Sequence, residues 1–347
     1  MFTSSQTTRS TSPAAPSWTV GDHTVRRIDE VALPARTGPW LLPGATTDLV
    51  SRTRWLSPEF ADEQHVLRLA SHSFAVEVDG MRVLVDTGIG NGKRRSNPAW
   101  HNLDSDYEAR LRTAGFPPES VDLVVLTHLH ADHVGWNTRA EGDTWVPTFP
   151  NARYLTSRTE WDYWAGVDME EARRQMFRDS VRPVQEAGLF DLVDVTSEGT
   201  DVAPGIRLLP TPGHTPGQVA VELSSRGETA LVTGDSIHHP VQMAHPELCS
   251  SVDIDPGLAT RTRNQVLASL AGTSTLLLGS HFPAPTAGHV RRADGEYRLV
   301  PAPSGVSPID ARWLPHTSAL GPGSRPDTGT GQGSAERGRG RGRGRGR

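Results

Sequence analysis

Thr127-His128-Leu129-His130-Ala131-Asp132-His133 sets four potential metal ligands within six residues, directly after the apolar run Val121 to Leu126. That run of mainly Val and Leu predicts a buried strand over Val121 to Thr127, and a strand that ends in a polar loop is where sites of α/β proteins form. Alternate positions His128 and His130 point to one side of an extended segment, and the turn that follows brings Asp132 and His133 to an adjacent point. Without a metal, four such groups at this spacing would repel or stay unsatisfied, so one loop serves two ions.

Two ions need more ligands than one loop supplies. Three candidates follow later apolar runs: His214 in Thr211-Pro-Gly-His-Thr-Pro-Gly217, Asp235 in Thr233-Gly-Asp235, and His281 in Gly279-Ser-His281. Gly213, Gly234 and Gly279 suit the tight turns that bring a side chain close to a metal. The single Cys249 allows neither an internal disulfide nor a Cys-based zinc site, so the ligands are imidazoles and carboxylates. Such a set suits Zn²⁺ best and also accepts Mn²⁺, Fe²⁺ or Co²⁺.

Asp79-Gly80, between Ser73 to Val78 and Met81 to Asp86, predicts a hairpin. Helices are expected at Asp104 to Ala114, Ser157 to Trp164, Glu170 to Ala187 and Asp255 to Leu270. Further strands are expected at Ala152 to Thr156, Ile206 to Pro210, Gln218 to Leu223, Glu228 to Thr233 and Ser274 to Leu278. The two halves share the order of hairpin, helix and strand, which suits two facing sheets covered by helices. Composition marks residues 1–17 as a disordered leader and 317–347 as a disordered Gly/Arg-rich tail, leaving a folded domain at 18–316.

The net charge of −5 hides a split, because Glu336 to Arg347 carries six Arg and one Glu and leaves the rest at −10. An acidic body excludes a general nucleic-acid grip by the folded part; only the Arg-Gly tail offers an RNA contact. With no signal-like apolar stretch near the start and no run of about 18 apolar residues, a cytoplasmic protein without a membrane partner is expected. A homodimer is compatible with the sequence. Gly88-Ile-Gly-Asn-Gly-Lys93 departs from a P-loop at Thr87 and Arg94, and no GxSxG elbow is present.

In this order the motifs resemble the metallo-β-lactamase superfamily over about residues 65 to 300. The resemblance implies a four-layer αβ/βα sandwich with the site along one edge. It also implies His128, His130 and His214 on a first metal, Asp132, His133 and His281 on a second, Asp235 bridging both, and Asp86 as structural support. The segments Gly234 to Gln242 and Ser280 to Val290 resemble the methyl parathion hydrolase-like branch, close to the N-acyl-homoserine lactone lactonases.

Two divalent ions ~3.5 to 4 Å apart acidify a shared water, so a metal-bridging hydroxide is the expected nucleophile, with Asp132 as the proton shuttle. The expected substrate is a small-molecule lactone or ester, extending to phosphotriesters. Hydrolysis of a β-lactam or thioester is the alternative within enzymes. A nucleic-acid processing metallohydrolase would need an inserted second domain, and a metal-binding redox protein a fused flavin-binding domain. Trp136, His238 and His289 are the candidates for substrate contact, with packing or outer hydrogen bonding as their other reading. Trp145, Trp161 and Trp164 could wall an apolar pocket or pack in the core.

Overall fold

In the computed structural model residues 15–305 are described, so residues 1–14 of the expected leader, residues 306–316 and the expected 317–347 tail lie outside the described residues. β1 (Ser17–Val20) pairs antiparallel with β2 (His23–Ala32), and the Arg27 N–H donates to Pro16 O at 2.9 Å. The first strand therefore opens one residue before the expected domain boundary.

β3 (Ala70–Val78) and β4 (Met81–Val85) form the hairpin expected around Asp79-Gly80, whose φ angles of 49° and 82° are those a tight two-residue turn demands. β5 (Leu123–Val125) follows, then a separate small hairpin, β6 (Thr138–Glu141) with β7 (Thr144–Pro147). With β8 (Arg153–Ser157) and β9 (Phe190–Val193) the first sheet is complete, in the order β1-β2-β3-β4-β5-β8-β9. The second sheet runs in sequence order: β10 (Thr200–Ala203), β11 (Ile206–Pro210), β12 (Val219–Ser225), β13 (Glu228–Val232), β14 (Leu276–Leu278), β15 (Ala287–Ala293) and β16 (Glu296–Pro301).

Side-chain alternation sets the layers. Val83 and Val85 pack with Val125, Val221, Val232 and Leu278 between the two sheets, whereas Leu84 and Val124 point the other way, toward Tyr107, Leu111 and Phe116. The outer face of the second sheet, through Ala220, Leu231 and Leu277, packs on Leu267, Leu270 and Val241. Both sheets are thus buried on both faces. The covering helices are α1 (Thr37–Leu41), α2 (Thr47–Arg52), α3 (Tyr107–Thr113), α4 (Arg158–Gly166), α5 (Glu171–Met176), α6 (Arg182–Glu186), α7 (Val241–Ala244) and α8 (Pro256–Leu270). This is the four-layer αβ/βα sandwich.

The single helix expected over Glu170 to Ala187 is broken: a π-helical turn, Phe177–Val181, separates α5 from α6. Pro183 has no N–H to give to the carbonyl four residues earlier, at Asp179. That carbonyl instead accepts from Lys93 Nζ at 3.0 Å and from the Thr138 hydroxyl, while the Asp179 carboxylate receives both Arg95 nitrogens at 2.8 and 2.9 Å. Proline frees the acceptor, and two buried cations hold the distortion in place.

Candidate metal centre

The site forms where central strands of both sheets end. β5 delivers Thr127 to His133, the β11–β12 turn supplies His214, β13 runs into Asp235 and β14 into His281. A hydrogen bond from Val219 N–H to Thr127 O, 2.9 Å, ties the first loop to the second sheet. Besides a group formed by His214, His238 and Asp253, two groups of potential donor atoms face each other, His128 with His130, His214 and Asp235, and Asp132 with His133 and His281.

Asp235 lies between them. Its Oδ1 is 3.3 Å from His133 Nε2 and 3.2 Å from His281 Nε2, and its Oδ2 is 3.3 Å from His214 Nε2 and 3.7 Å from His128 Nε2. Asp132 Oδ2 is 3.6 Å from His281 Nε2. All seven expected ligand residues are therefore brought together.

The imidazoles are anchored from behind. His133 Nδ1 meets Asp86 Oδ2 at 2.8 Å, His214 Nδ1 meets Asp253 Oδ1 at 2.9 Å, His281 Nδ1 meets Ala70 O at 3.0 Å, and His128 Nδ1 lies 3.1 Å from Thr127 Oγ1. Each of these rings thus turns its Nε2 inward, as ligands oriented by outer hydrogen bonds do. His130 is the exception, with Nδ1 2.9 Å from His214 Nε2. Asp86 also accepts from Thr127 N–H at 2.8 Å, from a left-handed backbone (φ 59°) that Asp tolerates better than most residues.

Glu160 and Glu30 stitch the loops from below. Glu160 accepts from Leu129 N–H at 3.0 Å, Gly217 N–H at 3.2 Å and the Trp164 indole at 2.7 Å, joining both ligand loops to α4. Glu30 accepts from Ile89 N–H, Gly90 N–H, the Ser71 hydroxyl and the Trp136 indole at 2.7 to 2.8 Å. Burial raises the Glu30 carboxyl against the opposing pull of these donors. Arg263, on α8, binds Ser236 O, Pro246 O and Leu248 O at 2.7 to 2.9 Å and comes within 4.0 Å of Asp253, fixing the segment after Asp235.

Burial would protonate Asp235, but His133 and three further imidazoles outweigh it and hold the carboxyl well below its ordinary value. Burial first, then neighbouring imidazoles, keep His128 and His130 well below the ordinary imidazole range. Burial pushes His133 the same way, and Asp235 and Asp86 reverse it. Neutral His128 and His130 beside an ionised Asp235 are the protonation states a divalent cation requires, whereas the raised His133 and His281 would have to release a proton to bind one. A cation also fits the orphaned atoms that face the cluster: His128 Nε2 and Asp235 Oδ1 are buried without a hydrogen-bond partner.

The candidates for substrate contact separate. His238 joins the cluster, with Nε2 3.3 Å from Asp235 Oδ2 and Nδ1 buried without a hydrogen-bond partner. Trp136 does not reach the open side. Only 5% exposed, it stacks on Tyr107 and donates to Glu30, so it packs beneath the loop. His289 sits on β15 opposite Val300 with Nδ1 3.2 Å from Thr275 O, and nothing among the described residues links it to the ligands. Trp145 lies under Lys93, while Trp161 and Trp164 line a cavity of about 320 Å³ with Met169 and Phe177.

Residues 66–281 match the Metallo-beta-lactamase superfamily. The chain is 30% identical over 125 residues to N-acyl homoserine lactonase AttM of Agrobacterium fabrum, covering 34% of this chain and 42% of that protein. It is 27% identical over 180 residues to N-acyl homoserine lactonase AiiA of Bacillus thuringiensis subsp. kurstaki, covering 48% of this chain and 64% of that protein. These matches span about half the length of the relatives. The fold is similar to that of AbOPH, a hydrolase of the beta-lactamase superfamily (TM-score 0.67, 26% identity, 84% of this chain and 99% of that chain). It is also similar to AidC, a dizinc quorum-quenching lactonase (TM-score 0.67, 20% identity, 84% and 98%). Among the described residues no helix is long and apolar enough to cross a membrane. With the HxHxDH loop, the later His, Asp and His ligands and the two-sheet sandwich all in register with that match, the chain belongs to the metallo-beta-lactamase superfamily.

Proposed function

We propose that the chain is a hydrolase that holds two divalent cations, zinc foremost, and opens a lactone or cleaves an ester of a small molecule. One observation carries this reading: Asp235 turns one oxygen toward each of two buried donor groups whose inward atoms include a nitrogen, His128 Nε2, and an oxygen, Asp235 Oδ1, without hydrogen bonds. His128, His130 and His214 would hold one cation, Asp132, His133 and His281 the other, with Asp235 shared. When bound, such a pair activates water and polarises the oxygen of a scissile carbonyl or phosphoryl group.

The rest falls to the protein. Asp132, 14% exposed, is the least buried carboxylate of the set and would carry a proton from the attacking water to the leaving oxygen. His238, whose Nε2 stands 3.3 Å from Asp235 Oδ2 and whose Nδ1 has no hydrogen-bond partner, would orient the substrate oxygen by donating to it. Asp86 and Asp253 keep the imidazoles in the tautomer that leaves Nε2 inward. The lactonase relatives support the lactone as substrate.

The test is turnover of lactones, aryl esters, phosphotriesters and β-lactams by metal-loaded and metal-free protein. Lactone or ester turnover restricted to the loaded form supports the proposal. Turnover of β-lactams alone would replace it.

A further inference from the structure

Three arginines lie on or just beyond α5, and they are not equivalent. Arg174 pairs with Glu171 at 3.1 Å and Asp168 at 3.4 Å, and Arg178 pairs with Glu171 at 2.5 Å. Arg173 has no carboxylate within ion-pair distance among the described residues, although it is half-buried. Its guanidinium carbon stands 4.0 Å from the ring of Trp164, and that ring lies 5.9 Å from the His130 imidazole. Stacking satisfies the flat face of a guanidinium and leaves its edge of N–H donors free.

That edge belongs to the site's surroundings. Burial works against the Arg173 charge, and Glu170 and Glu160, then Tyr163 and Asp132, favour it. None of its nitrogens is among the buried atoms lacking a partner, so the donors reach solvent. Trp164 is itself fixed by its indole bond to Glu160, which also holds Leu129 N–H between His128 and His130. The cation is therefore set at a fixed height beside the ligand loop. On a body that carries a net −10 up to residue 335, it is an unusual invitation to an anion.

We infer that Arg173 is a specificity-determining residue that binds a carboxylate carried by the substrate away from the scissile bond, so that the preferred substrates are anionic lactones or esters. This rests on the hydrolase reading above. A bidentate, charge-assisted contact by a stacked guanidinium is stronger than a neutral hydrogen bond and selects a planar anion.

The experiment compares 4-nitrophenyl butyrate with mono-4-nitrophenyl glutarate, its carboxylate-ended counterpart, on the metal-loaded protein at low salt. The expected preference for the glutarate is on the order of tenfold or more in kcat/KM, carried by KM and reduced by added salt. In Arg173→Gln the ratio falls toward one, and Arg173→Lys keeps part of it. Calorimetric titration with the corresponding 4-nitroanilides reads the same preference as binding without turnover. A wild-type ratio near one, a ratio unchanged in Arg173→Gln, or an equal loss on both esters would overturn the inference while leaving the hydrolase reading intact. Failure of the wild type on both esters and on lactones overturns both.

Discussion

Asp253 shows how much of the site's order is set one residue behind the ligands. It receives His214 Nδ1 at 2.9 Å and Ser250 N–H at 2.8 Å, and with its side chain fully shielded from solvent it has no water to substitute for either. Asp253→Asn keeps the volume but weakens the acceptor that fixes the imidazole, so metal affinity should fall by about 10 to 100-fold by chelator competition. Unchanged affinity would show that His214 is oriented by something else. Glu30→Ala removes the acceptor for four donors, and an expected loss of at least about 3 kcal/mol in urea unfolding follows from leaving buried N–H groups unpaired. A loss within 0.5 kcal/mol, the range of a surface substitution, would contradict that role. The ligands were legible because they cluster in sequence after strands. Glu30, Glu160 and Asp253 were not: Glu30 meets its donors across 59, 60 and 106 residues, and only the folded chain brings those together.

At the scale of elements, the π-helical turn between α5 and α6 buries Lys93, Arg95 and Asp179 together. Burial brings the Lys93 ammonium from its ordinary 10.5 down to about 7, against the pull of Asp179. The unfolded chain keeps this proton up to about 10.5 while the folded chain releases it near 7, so Lys93 makes stability rise with pH across that window. Lys93→Met removes the titration. The difference in unfolding free energy between wild type and Lys93→Met should therefore shift in favour of wild type from pH 7 to pH 9.5 in urea titrations. An equal difference at both pH values would contradict the buried lysine. The break itself was half visible, since Pro183 stands inside the expected helix and cannot complete its ladder. The β15–β16 hairpin also carried a readable sign, Asp294-Gly295, the same turn pair as Asp79-Gly80 and with matching φ angles of 55° and 87°. The short strands β6 and β7 and the helices α1 and α2 lack comparable punctuation, and their positions follow from packing.

At the scale of the whole molecule, two sheets bury both faces and bring the ends of β5, β13 and β14 to one edge, so ligands from residues 128 to 281 share a single cluster. That convergence is what the order of motifs implied, because each ligand follows a strand and parallel central strands end on the same side. The role of Trp136 did not follow from its place beside the loop, since neighbours in sequence can lie on opposite sides of a turn. On the proposed reading this cluster is a two-cation centre on which hydrolysis depends. Elemental analysis of metal-replete protein, with lactone and ester turnover measured before and after chelation, tests it most directly. About two metal ions per chain are expected, with turnover that disappears on chelation and returns with zinc; fewer than one bound ion per chain, or full turnover in metal-free protein, would show that hydrolysis does not depend on a two-cation centre.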